Sequence, residues 1–569
     1  MTRREAAMAA ALCFAVAAAW LGPSFFRADR GGVEDWDQFA HYEVVGGEAL
    51  LHHGQLPHWN PYACGGVPYA GHPQTRGLSP LRALHLVVTP PLSLQLEAWL
   101  LISFAALGAY GLLRGRGAGP AAAAVGAATF ALSGVIAGHV HAGHLNLLTV
   151  AWLPLIAWGA LDCAPSALGV ALGAGGVALM ILGGGAQVLP LAGVALGLDA
   201  LLRAFAQRRV APLVRLAATM LGGGALAAAK LAPVLSVMGE FPRTMPAGER
   251  FAPGGPLRAL VDFDYGGWDI GGVRSWWEYS AYPGLVALAL AVLGAARRPR
   301  VAWRPLVALA ALVALAWGDL GWAAPWRWLH ALPPFDRLRV PGRFLLVAML
   351  PLAELAALGA EALSADTRRR VSWLGWAAAA ALVGDLALAA HPAMESTFTR
   401  PLPALDSAPS FRQIHGNPGT MAAVAQSGRG TLECYESLLI RRGRASALRA
   451  YVDPDYRGEV HVEGRGEARL EAFSPDVLRV RARADAPGAL LVVNQHWDRR
   501  WRADAGLHVV EWRHLLAVEL PLGESVVTLR YSHRAFDIGL AVSAAALLGL
   551  SFAAARGARR RAASAAHRA

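Results

Sequence analysis

Residues 93–116 read SLQLEAWLLISFAALGAYGLLRGR, about twenty mostly apolar residues closed by Arg114 and Arg116. A helix rises about 1.5 Å per residue, so such a stretch crosses the roughly 30 Å hydrocarbon core, where each backbone polar group must be paired within its own segment. The same texture recurs at 6–22, 119–137, 145–161, 167–186, 188–202, 216–236, 283–296, 305–322, 344–363, 371–390 and 538–555. Twelve transmembrane helices are predicted. The whole chain agrees: of 569 residues 55% are hydrophobic and 16% charged, against about 25% charged in soluble globular chains. A single water-soluble enzyme is excluded.

The formal charge is +12, carried almost wholly by arginine, since Lys230 is the one lysine. With the N-terminus inside, Arg3 and Arg4, Arg114 and Arg116, Arg203 to Arg215, Arg297 to Arg304, Arg368 to Arg370 and Arg556 to Arg561 fall on one face. Short cytoplasmic loops collect positive residues, so the basic charge needs no nucleic-acid partner. The first block also has the basic start and small residues of a cleavable leader. An uncleaved helix is preferred, because its removal would leave the loops on the wrong side. Three long segments then lie outside the cytoplasm: 23–92, 237–282 and 391–537.

The last of these changes texture. From Glu459 to Ser532 the pattern becomes period-two alternation, with Leu478, Val480 and Ala482 on one side and Arg479, Arg481 and Arg483 on the other. Half-buried strands have this pattern, and further strands are expected at 489–494, 507–512, 515–520 and 525–531. The predicted organisation is a transmembrane domain over 1–390 with a large first outer loop (23–92), a mainly β, sandwich-like domain over 391–537, and a last helix with a basic tail over 538–569. The four cysteines, Cys13, Cys64, Cys163 and Cys434, have no metal-ligand spacing. Cys64 and Cys434 share the outer side, and the simpler expectation leaves them unpaired.

The first outer loop carries Asp35-Trp36-Asp37-Gln38, then Gly54-Gln55-Leu56-Pro57-His58-Trp59-Asn60-Pro61 and Gly71-His72-Pro73-Gln74. Carboxylates beside a low-dielectric slab can have raised pKa values and act as general bases. Acidic loop residues are more often simply solvated, but the aromatic and Gly/Pro surroundings argue for a packed loop. Ser133-Gly134 and His139-Val140-His141-Ala142-Gly143-His144 precede Trp152-Leu153-Pro154-Leu155. Later come Glu278-Tyr279 with Tyr282-Pro283-Gly284, Arg339-Val340-Pro341-Gly342-Arg343-Phe344, and Trp501-Arg502-Ala503-Asp504 with Pro521-Leu522-Gly523-Glu524 and Arg530-Tyr531.

In their shared order these motifs resemble the YfhO-type bacterial membrane proteins, a family of the GT-C group of polytopic glycosyltransferases. The resemblance implies a GT-C-like membrane fold in the bacterial cytoplasmic (inner) membrane. It also implies transfer of a sugar from a polyprenyl-phosphate donor to an envelope glycan, glycolipid or protein acceptor on the extracytoplasmic face. The acidic role in the first outer loop falls on Asp35 or Asp37. Asp35 with Gln38 fits the family spacing, and the choice between the two aspartates stays open.

The other candidates follow from charge and position. A departing lipid phosphate develops negative charge that fixed cations stabilise, and the planar fork of arginine suits phosphate. Arg337, Arg339 and Arg343 stand on the outer face beside a helix start; snorkelling and pairing with Asp336 are the simpler roles. Lys230 interrupts an apolar block, a functional-site hypothesis by default, although its stem can also snorkel. Gln38, His72, Gln74, His139, His141, His144 and Gln187 are candidate contacts for sugar or headgroup. Glu278 is a second candidate acid, or else the partner of Arg274. His141 and His144 share a helix face, but no carboxylate accompanies them in their turn, so no metal ligands and no resident cofactor are assigned; a divalent cation enters only as an optional companion of the donor. Two other classes compete: a lipid-sugar flippase or transporter, and a non-catalytic assembly factor with the same fold.

Overall fold

The computed structural model describes residues 2–163, 167–241, 245–252, 254–262, 276–365, 373–404, 406–416, 419–434, 447–504 and 506–566. Eight helices among them are long and apolar enough to cross a membrane: Arg3–Leu21, Pro90–Gly115, Pro120–His141, Gly185–Gln207, Pro299–Ala316, Pro341–Ser364, Trp373–Thr397 and Arg534–Gly557. This is a multi-pass membrane architecture. Of the twelve expected blocks, eight reach spanning length as single helices among the described residues. Ala211–Leu226 and Ala228–Glu240 form a single block bent by 84°, and Leu147–Asp162, Ala167–Leu182 and Leu285–Arg297 are shorter apolar helices. Each apolar block in the sequence is helical, yet hydropathy does not report where packing bends or shortens a helix.

Local sequence sets many of the ends. Pro90 and Pro120 open their helices, where a missing N–H costs nothing and the fixed φ suits the first turn. Pro120–His141 and Pro341–Ser364 are buried along most of their length and form the centre, whereas Arg534–Gly557 is exposed along nearly all of its apolar surface, as a lipid-facing helix would be. Ion pairs join helix ends at the arginine-rich face: Arg114 to Glu5 at 2.7 Å, and Arg116 and Arg203 both to Asp162 at 2.8 Å. Arg116, Arg203, Arg298 and Arg304, from three of the arginine-rich stretches, thus line one common cavity at this end of the bundle. The Arg368 to Arg370 cluster and Arg274 lie outside the described residues.

The β domain is a sandwich of two antiparallel four-stranded sheets. Its strands are β1 (Val460–Glu463), β2 (Gly466–Ser474), β3 (Val477–Ala484), β4 (Leu490–His496), β5 (Trp501–Ala503), β6 (Val509–Trp512), β7 (Leu515–Glu519) and β8 (Gly523–Tyr531). The sheet orders are β6-β7-β4-β1 and β5-β8-β3-β2. In β3, Leu478, Val480 and Ala482 are buried and Arg479, Arg481 and Arg483 are exposed, the alternation that period two predicts.

The first loop docks this domain onto the helices. Trp59 is buried among the sandwich residues Val480, Leu529 and Tyr531, and its indole N–H donates to Gln495 at 2.8 Å. The backbone N–H groups of His58 and Trp59 donate to the Asp476 carboxylate at 3.0 and 2.8 Å. Asn60 meets Nε2 of His41 at 2.9 Å, and Nδ1 of that ring faces the Met421 carbonyl at 3.1 Å. Cys64 and Cys434 form a disulfide with Cα atoms 4.7 Å apart, correcting the expectation of unpaired thiols. Gly65 N–H donates to the Thr431 carbonyl, so the backbone contact already brings the two segments together. The Trp-Asn-Pro stretch is therefore a docking plate.

Candidate functional site

Six residues chosen from the sequence meet at the end of the bundle that carries the β domain, from five separate segments. Asp35 stands just ahead of the helix Trp36–His53. Its backbone N–H donates to the Ala142 carbonyl, and the Trp36 indole donates to Val140, so the Asp-Trp pair is fastened to the histidine turn. Gly143, at φ +71°, lets the two backbones close: a Cβ there would lie 2.5 Å from the Trp36 nitrogen. Only glycine accommodates both demands. The result places Nε2 of His144 3.5 Å from the Asp35 carboxylate.

From His144 the contacts run inward. Its Nδ1 lies 2.9 Å from Nδ1 of His139. His139, His144 and Glu278 each offer a donor atom, all three within 4.8 Å of one another, and all three residues are buried. Glu278, in the short helix Trp276–Tyr279, is gripped by Arg343, whose Nε and Nη2 donate to its two oxygens at 2.9 and 2.5 Å. A third guanidinium nitrogen, Nη1, donates to Gln187 at 2.5 Å. Burial pushes the Glu278 carboxyl upward, but the Arg343 charge and its hydrogen bonds overcome it and hold the group well below the usual carboxylate range. Burial lowers the His144 imidazole, favouring the neutral ring. The close pass of the Arg343 turn over Glu278 again needs glycine, since a Cβ on Gly342 would lie 2.8 Å from the Glu278 carbonyl oxygen.

The remaining candidates have other partners. Asp37 accepts the N–H groups of Met421 and Ala422 at 2.7 and 3.3 Å. Burial raises its pKa to about 6 in spite of those two donors, and it borders a cavity of about 190 Å³ with Trp36, Arg400 and Gln426. Gln38 donates to the Tyr42 hydroxyl, which lies 3.3 Å from Nε2 of His72; Gln74 is buried beside them, its N–H donating to His72 Nδ1. Lys230 fastens this loop, its ammonium 2.6 Å from both the His72 carbonyl and the Thr75 hydroxyl. His141 turns to the Ala393 carbonyl at 3.1 Å and packs on Trp276. The His141–His144 pairing is thus replaced by His139–His144. Arg339 pairs with Glu249 at 3.0 Å and is half exposed, and Arg337 is half-buried in the turn Phe335–Arg337.

Two groups escaped the sequence reading. Glu249, which pairs with Arg339, also accepts a hydrogen bond from Tyr279. Arg76 is buried between Glu43 and Glu97, 2.6 Å from each. Glu97 gave a signal as an acid within an apolar block; Glu43 and Arg76 gave none.

No protein-family model matches the chain, and no curated protein matches it in sequence. Among solved structures it is similar to the cryo-EM structure of the arabinofuranosyltransferase AftD from Mycobacteria, at 20% identity and a TM-score of 0.44, over 70% of this chain and 27% of that one. A mutant of AftD gives 17% identity and a TM-score of 0.43, over 71% of this chain and 28% of that one. The chain spans just over a quarter of AftD's length, and a likeness at this level assigns no activity.

Proposed function

We propose that this protein is an integral-membrane glycosyltransferase that moves a sugar from a polyprenyl-phosphate donor to an envelope acceptor on the extracytoplasmic side. One observation carries the reading: Asp35 of the first outer loop and Arg343 at the head of a central helix are joined through the buried His144–Glu278 cluster. A transfer of this kind needs a carboxylate to orient or deprotonate the acceptor hydroxyl and a cation facing the departing phosphate. Asp35 takes the first role and Arg343 the second, with Gln187 and His139 lining the donor side. Asp37, Gln38, His72, Gln74 and Lys230 shape and hold the loop, and Arg337 and Arg339 form the rim over which the lipid phosphate enters. The motif order shared with the YfhO-type proteins supports the same chemistry.

The transporter reading draws on the bent pair Ala211–Leu226 and Ala228–Glu240, because broken helices often build transport sites. Here the second half ties the first loop through Lys230 and packs on the last helix, Ala229 N–H donating to Ser543. That favours a scaffold for the outer surface.

The deciding experiment compares envelope glycans with and without the gene, then follows transfer from a defined polyprenyl-phosphate sugar in detergent. Transfer that disappears in Asp35→Asn supports the proposal. Movement of lipid-linked sugar across liposomes that carry no acceptor, without any transfer, would establish the transporter.

A further inference from the structure

We propose that His139, His144 and Glu278 bind one divalent transition-metal ion, with zinc the best match to their donor set. The two histidines share one turn and Glu278 comes from a segment far off in the chain, yet the three donor atoms lie within 4.8 Å of one another in a buried cluster. The two Nδ1 atoms, 2.9 Å apart, suit a common ion at about 2.0–2.1 Å from each. Two imidazoles and one carboxylate favour zinc and its neighbours over calcium and magnesium, which take oxygen ligands. Three protein ligands also leave a fourth position open, the pattern of catalytic zinc.

The surroundings supply what metal ligands require beyond the first contact. A ligating imidazole gives its other ring N–H to a carboxylate, and a ligating carboxylate is itself hydrogen-bonded. Nε2 of His144 faces Asp35 at 3.5 Å, and Glu278 is held by both Nε and Nη2 of Arg343. Arginine bonds to each Glu278 oxygen leave a further lone pair on that oxygen for an ion. The formal charges of Asp35, Glu278 and Arg343 sum to one negative charge, so a divalent ion brings the cluster to one positive charge. A phosphate oxygen is the natural occupant of the open position; that use alone rests on the transferase reading, while ion binding stands without it.

The test uses the full-length protein in detergent, purified through a tag without histidine, stripped with chelator and titrated with zinc alone. One zinc per chain by elemental analysis after gel filtration is expected. His139→Ala and His144→Ala should each remove it, and cobalt loading should give visible d–d absorption in the parent that both variants lack. Asp35→Asn, which touches no proposed ligand position, should stay monodisperse and weaken zinc about 10- to 100-fold, which keeps the test decisive if the histidine variants misfold. A monodisperse parent that takes up no stoichiometric zinc overturns the proposal, as does a His139/His144 double variant that keeps it. Transfer by a stripped protein that also takes up no zinc removes the ion and leaves the transferase standing; zinc bound at these residues without any transfer does the reverse.

Discussion

The Asp35 carboxylate lies 3.5 Å from Nε2 of His144, while Asp37, two residues on, accepts two backbone N–H groups at the start of Met421–Gln426. The two aspartates therefore divide the labour: one faces the buried cluster, and the other fastens the loop to the segment leading into the β domain.

Asp35→Asn should lower sugar transfer by about 10²- to 10⁴-fold, the usual contribution of a positioned acid–base group, with unchanged abundance and melting temperature. Asp37→Asn should keep measurable transfer and lower the melting temperature, because an amide offers one acceptor oxygen where the carboxylate offers two. Radiolabelled transfer beside thermal scanning separates the pair, and equal loss of activity at unchanged stability in both variants would refute the division.

Arg343 grips Glu278 with two donors and Gln187 with a third. Arg343→Lys keeps the charge but loses the fork. If the guanidinium stabilises the leaving phosphate, the expected loss in kcat is about 10²- to 10³-fold in Arg343→Ala, with only part regained in Arg343→Lys. A loss matched by the fall in folded protein, measured by gel filtration in detergent, would instead make Arg343 a support for Glu278.

Much of this was legible in the sequence, for reasons that also mark the limits. Apolar block length and the placing of arginines follow directly from bilayer thickness and loop charge, and the alternation at Leu478 to Arg483 follows from the pleat. The bend after Leu226 was not legible, because it depends on how Lys230 and Ala229 meet the first loop and the last helix. Asp35, His144, Glu278 and Arg343 were each visible as candidates. Their convergence was not, since it depends on close backbone passes: Gly138 against Trp277 brings Glu278 to the histidines, Gly143 brings His144 to Asp35, and Gly342 brings Arg343 to Glu278. Trp59 drew attention as a motif residue, but single-chain reading does not distinguish a side chain facing substrate from one buried in a neighbouring domain.

Trp59→Ala should undock the β domain, since large-to-small changes of buried aromatics cost about 3–5 kcal/mol. Limited proteolysis should then cut between Thr397 and Cys434 in the variant and leave the parent intact. The Cys64–Cys434 disulfide should hold the two parts together even in that variant, so fragments should separate on a gel only after reduction. Fragments that separate without reductant would place the cysteines apart.

Asp476 gives a pH dependence whose sign is fixed by its burial. Desolvation raises its pKa to about 7, against the two N–H groups of Trp59 and His58 that lower it, whereas an unfolded aspartate titrates near 3.9. The folded state therefore binds more protons than the unfolded state between these values. Its stability contribution is complete below pH about 4 and declines as pH rises to about 7. Asp476→Asn keeps a carbonyl acceptor for the docking N–H groups and removes the titration. The melting temperature of the parent, relative to this variant, should fall between pH 4.5 and 7.5, as followed by intrinsic tryptophan fluorescence. A difference that is flat with pH, or one that grows in the parent's favour as pH rises, would show that Asp476 is ionised in the folded protein and that the docking contact is a charge-assisted one.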